Sequence, residues 1–108
     1  MSRVSIEEAI ELSPVERVRN VIFLNEHMEF EVLSLEPGQA SPRHNHENGD
    51  QVFVVRTGEV QLEVEGEGEA VTLTPDVLGV ALCTKMHQIR NSSQNRAVVF
   101  GIKATTVA

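Results

Sequence analysis

Tryptophan and tyrosine are absent, and cysteine occurs once, at Cys83. A single cysteine excludes an internal disulfide and every cysteine-based zinc-finger spacing, and it suits a reducing compartment. With phenylalanine as the sole aromatic residue, the core must be built mainly from Val, Leu, Ile and Phe. Base-stacking platforms of Trp or Tyr are missing as well. Positive charge is scarce: 9 Lys and Arg face 16 Asp and Glu, a net charge of −7. Such a surface repels a phosphate backbone, so nucleic acid is not an expected partner. No apolar run approaches a membrane span, and Met1 to Glu11 holds no apolar core of a signal peptide. These features predict a soluble cytoplasmic protein without a membrane partner. A Gly-x-Ser-x-Gly nucleophile elbow is also lacking.

What remains is a chain of 108 residues, 41% of them apolar. At this size folding buries roughly 65% of the unfolded chain's surface, enough for one core and too little for two. Residues 1–108 are therefore expected to form one domain, with a helical or extended segment over 1–20 and a barrel over 28–104. Ser5-Ile6-Glu7-Glu8 has the pattern of a capping box and predicts a short helix. Beyond Ser13-Pro14 the period becomes two. Strands are expected over Val21–Leu24, Met28–Glu36, Gln51–Thr57, Glu59–Glu65, Ala70–Thr74, Val77–Cys83 and Arg96–Ala104. Val60, Leu62 and Val64 alternate onto a buried face. Gly66-Glu67-Gly68 reads as a hairpin turn, and Asn91 to Asn95 as a polar turn cluster. Many short strands at regular spacing predict an all-β sandwich or barrel. A jelly roll limits the exposed edges of so short a chain.

His44-Asn45-His46 is the chemically informative segment. Two residues apart on a strand, the imidazoles point to one face with roots roughly 6.6 Å apart, within reach of one metal ion. Gln51 opens the next strand and His87 lies far downstream. Asp50 is a second candidate oxygen donor and Glu47 a third. Cys83 lies four residues before His87 and reads as a small buried residue. His27 reads as exposed beside Glu26. Arg56, Lys85 and Arg90 read as solvated surface.

These residues resemble the two motifs of the cupins. Gly38, five residues, His44-Asn45-His46, four residues, Gln51, six residues and Gly58 follow the first motif. His87, three residues and Asn91 follow the end of the second, although Thr84-Lys85-Met86-His87 stands where that motif has Gly-x-x-His. Three of the four histidines occupy ligand positions. The resemblance implies a cupin jelly roll, a double-stranded β-helix barrel, here with a short N-terminal helix. It also implies one divalent metal ion (Fe, Mn, Ni or Zn) held by His44, His46 and His87. Where the family has glutamate, this chain has Gln51, a neutral amide oxygen. That substitution predicts weaker metal binding, a bound ion that keeps its full charge, and tighter binding after Gln51→Glu.

The family spans dioxygenases, isomerases, epimerases and decarboxylases. The expected function is a metal-dependent enzyme of dioxygenase or isomerase type acting on a small, anionic, oxygenated substrate. No side chain stands out as a general base, so the catalytic group implied is metal-bound water or O₂. Phe53, Val55, Val60 and Leu62 are expected to wall the substrate pocket. The alternatives are a non-catalytic small-molecule or metal-binding module and a metal-free dimeric scaffold. A homodimer is expected in each case, because exposed strand edges near the N-terminus need a cover.

Overall fold

Ser5 begins the regular structure by capping a single helical turn, α1 (Ile6–Ala9); its hydroxyl accepts the Glu8 amide at 3.4 Å. The computed structural model describes residues 3–45 and 49–104. Eight strands follow: β1 (Val18–Leu24), β2 (Met28–Leu35), β3 (Gln51–Thr57), β4 (Val60–Val64), β5 (Val71–Leu73), β6 (Gly79–Ala81), β7 (His87–Arg90) and β8 (Ala97–Ala104). They form a five-stranded sheet in the order β1-β2-β8-β3-β6 and a three-stranded sheet in the order β5-β4-β7, with antiparallel pairing throughout. The result is an all-β jelly roll with one short helix.

Alternation along the strands decides what lies between the sheets. Leu33 and Leu35 of β2, Phe53 and Val55 of β3 and Val99 of β8 meet Val60, Leu62 and Val64 of β4 with Leu73 and Ile89. The outward residues of the same strands, Val32 and Val98 with Phe30 and Phe100, pack beneath Ala9 and Ile10. Strand β2 is thus covered on both faces, which explains a burial pattern with little alternation. Gly58 turns the chain between β3 and β4 at φ +81°, where a Cβ would stand 2.4 Å from the Arg96 carbonyl oxygen. That turn admits only glycine, which gives this motif position its physical meaning.

Three expectations need correction. Regular pairing between Val77 and Cys83 is confined to Gly79–Ala81, with Val77, Leu78, Val80 and Leu82 exposed. A strand not read from the sequence, β7, carries His87 and pairs with β4, Val64 opposite His87. His44 lies outside the named strands, in an isolated antiparallel bridge to His87. Pro42, which has no amide hydrogen, interrupts strand pairing just before it.

Candidate metal centre

The bridge between His44 and His87 sets the geometry of the site. Each backbone amide donates to the other residue's carbonyl, at 3.1 Å from His44 and 2.8 Å from His87. Two chain segments 43 residues apart are thereby locked with their imidazoles side by side, ring centroids 4.4 Å apart. Each ring is also oriented by its own chain. His44 Nδ1 lies 2.8 Å from the Pro42 carbonyl oxygen, and His87 Nδ1 lies 3.2 Å from that of Lys85. A carbonyl oxygen only accepts, so in the neutral ring Nδ1 carries the hydrogen and Nε2 carries the lone pair. This is the tautomer a metal-ligating histidine takes when its other nitrogen is held by a backbone carbonyl.

Gln51, at the start of β3, is 1% exposed, as is His87. Both line one small cavity together with His44 and Phe53; the Phe53 ring lies 5.8 Å from that of His87. Room within it for the centre of a water-sized sphere amounts to about 20 Å³, enough for one water or one ion. The Gln51 amide nitrogen donates to Glu31 Oε1 at 2.9 Å. A carboxylate offers no hydrogen to an amide oxygen, so this bond fixes which end of the amide faces Glu31 and leaves the oxygen as the atom Gln51 presents elsewhere.

Glu31, Arg19 and Arg17 also line the cavity, and sequence reasoning missed all three. Their signal was present for the acid. Glu29 and Glu31 occupy the inward positions of β2 in step with Leu33 and Leu35, where a solvent-facing carboxylate is not expected. Arg19 reaches across from β1 to both, through Nε to Glu31 Oε2 and through Nη2 to Glu29 Oε1 at 2.9 Å. Lys103 adds a contact to Glu29 at 3.4 Å. Burial alone would lower the Arg19 pKa. Coulomb attraction and hydrogen bonds from Glu31, and then from Glu29, outweigh it, and the net shift is upward. Arg17 Nε is buried and makes no hydrogen bond among the described residues.

The remaining sequence candidates fall elsewhere. His46 and Glu47 lie outside the described residues. Val55, Val60 and Leu62 belong to the core between the sheets and do not line the cavity; of the four apolar wall candidates it is Phe53 that does. Asp50 is exposed, and its Oδ1 accepts the Cys83 amide at 2.8 Å. Cys83 is half-buried. His27 is exposed beside Glu26, and Arg56 pairs with Glu7 on the surface. Among the described residues no three His, Cys, Asp or Glu side chains form a metal-ligating group. Among the described residues, His44, His87 and the Gln51 amide are the sequence-read ligand candidates that line the cavity.

A jelly roll with His44, His87 and Gln51 lining one small cavity is an arrangement in keeping with the cupin class. The cupin domain family matches residues 31–103, and the chain belongs to it. Its structure is similar to that of TT1209 from Thermus thermophilus, with 30% identity over 97% of this chain and 98% of that one and a TM-score of 0.88. It is similar in fold to KdgF from Halomonas sp., with 20% identity over 96% and 94% of the two chains and a TM-score of 0.77. The cupin domain of an XRE family transcriptional regulator from Enterobacter cloacae is 26% identical over 84% of this chain and 98% of that one, with a TM-score of 0.74. No curated protein matches the chain. No helix among the described residues is long and apolar enough to cross a membrane.

Proposed function

We propose that this cupin holds one divalent metal ion through His44, His46 and His87 with the Gln51 amide oxygen, and acts as a metal-dependent enzyme of dioxygenase or isomerase type. The observation that carries this reading is the His44–His87 pair: backbone bonds in both directions, rings 4.4 Å apart, and each Nδ1 set against a carbonyl. Neutral imidazoles joined by an amide oxygen suit Fe, Mn, Ni or Zn. A cavity with about 20 Å³ of water-centre space matches one ion. Bound there, such an ion supplies Lewis acidity and open positions for a small oxygenated ligand.

The residues around it assign the rest. His44 and His87 hold their rings in the ligating tautomer. Gln51 contributes an uncharged oxygen, so ligand charge is left to the substrate. The Arg17 guanidinium favours an anion, with its buried Nε as a hydrogen-bond donor, while that of Arg19 is taken up by Glu31 and Glu29. Phe53 closes the apolar side.

The small cavity favours a second reading, a non-catalytic module that holds metal without turning over substrate, because ligand pockets ordinarily enclose ~300–1,000 Å³. In either case the chain is read as a cytoplasmic homodimer. The free thiol of Cys83 suits a reducing compartment. Phe23 and Leu24 stand exposed on the edge strand β1, beside an apolar groove lined by Val4, Ile22, Met28 and Phe30.

Thermal unfolding with Fe(II), Mn(II), Ni(II) or Zn(II) tests the assignment. A ligand at 100 times its Kd stabilises by about 2.7 kcal/mol, so at least one ion raises the Tm of the wild type by several degrees and leaves His87→Ala unmoved. Equal shifts in both proteins refute the ligand set. Turnover of small oxygenated acids by the loaded protein separates the enzyme from the module.

A further inference from the structure

Glu31 lines the cavity, yet it is committed elsewhere: Oε1 accepts from Gln51 and Oε2 from Arg19. It reaches Gln51 from two strands away. β2 and β3 flank β8 in the sheet, so their backbones are separated by about 9.5 Å. On the intervening strand the residue opposite Glu31 is Gly101. A Cβ there would stand 2.7 Å from Glu31 Oε1 and 2.9 Å from Gln51 Nε2, inside the bond itself. Carboxylate and amide meet because the middle strand has no side chain between them.

We propose that Glu31 is a positioning residue for the fourth metal contact. Its carboxylate, clamped by Arg19 and admitted by Gly101, takes the Gln51 amide nitrogen and so turns the amide oxygen toward the ion. The same contact explains why position 51 is an amide. A glutamate there would set two carboxylates in hydrogen-bond contact within a buried site, where like charges repel strongly. The charge that the family's glutamate brings to the metal stands one step further back here, on Glu31, neutralised by Arg19. Gln51→Glu alone therefore does not tighten metal binding, contrary to the expectation from the motif; the exchange works only when Glu31→Gln accompanies it. This inference rests on the metal-site reading above.

The test compares the wild type with E31Q, Q51E, the E31Q/Q51E double variant and G101A. Co(II) affinity and absorption spectrum are read in the loaded proteins, and hydrogen exchange of the Gln51 side-chain amide by NMR in the metal-free ones. Removing a partner that orients a ligand ordinarily costs ~10–100-fold in metal affinity. E31Q and G101A should lose affinity on that scale, change the Co(II) spectrum and speed amide exchange. The double variant should bind more tightly than Q51E. Wild-type affinity, spectrum and exchange in a folded E31Q, or in folded G101A if E31Q does not fold, would overturn the proposal while the metal reading stands. A wild type that takes up no Co(II) despite a protected Gln51 amide would overturn the metal reading, and the role of Glu31 with it.

Discussion

Asn91 shows how much one residue of the motif does for the fold. It is fully buried, and its amide nitrogen donates to the carbonyls of Leu35 at 3.1 Å and Asn95 at 2.8 Å. Its oxygen accepts from the Ser93 amide at 3.1 Å and the Ser93 hydroxyl at 2.8 Å. The side chain thus ties the end of β2 to the turn before β8. Asn91→Ala leaves the buried Leu35 carbonyl unmet and releases the half-buried Ser93 contacts, a cost of about 2 kcal/mol. A Tm lowered by on the order of 10 °C is expected from calorimetry, and a loss below ~3 °C would contradict the account. At this scale the sequence named His44, Gln51, Phe53 and His87 among the residues that line the cavity, but not Arg17, Arg19 or Glu31. Gln51 was legible from its spacing; Glu31 and Gly101 were not, because their meeting depends on a strand order in which β8 lies between β2 and β3.

Among the elements, the approach to β7 carries strain. Thr84 has φ +70°, the one positive-φ residue other than glycine among the described residues, and it stands where the cupin motif has glycine. A β-branched residue in this conformation costs roughly 1–2 kcal/mol, and glycine loses roughly 0.5–1 kcal/mol in chain entropy. Thr84→Gly should therefore raise the Tm by a few degrees; a lower Tm would show that Thr84 makes compensating contacts. Strands with clear alternation, such as β3 and β4, were legible with their bounds within a residue. β7 escaped because His-Gln-Ile-Arg offers a single apolar residue to a period-two reading; its pairing with β4 makes it a strand. The exposed apolar residues around β6 extended the apparent strand there beyond its paired core.

For the whole molecule, the jelly roll was legible because many short alternating runs and turn clusters admit few other architectures. The proposed homodimer would be built on the side of β1 away from β2, where Phe23 is 48% and Leu24 64% exposed. Sedimentation should find a dimer, and Phe23→Glu with Leu24→Glu should yield a folded monomer; a wild type that sediments as a monomer contradicts this assignment. Metal content by mass spectrometry on untagged protein, beside the His44→Ala, His46→Ala double variant, tests the central claim most directly. The account predicts near-stoichiometric Fe, Mn, Ni or Zn in the wild type and none in the variant. A wild type that is empty and accepts none of the four ions would contradict it.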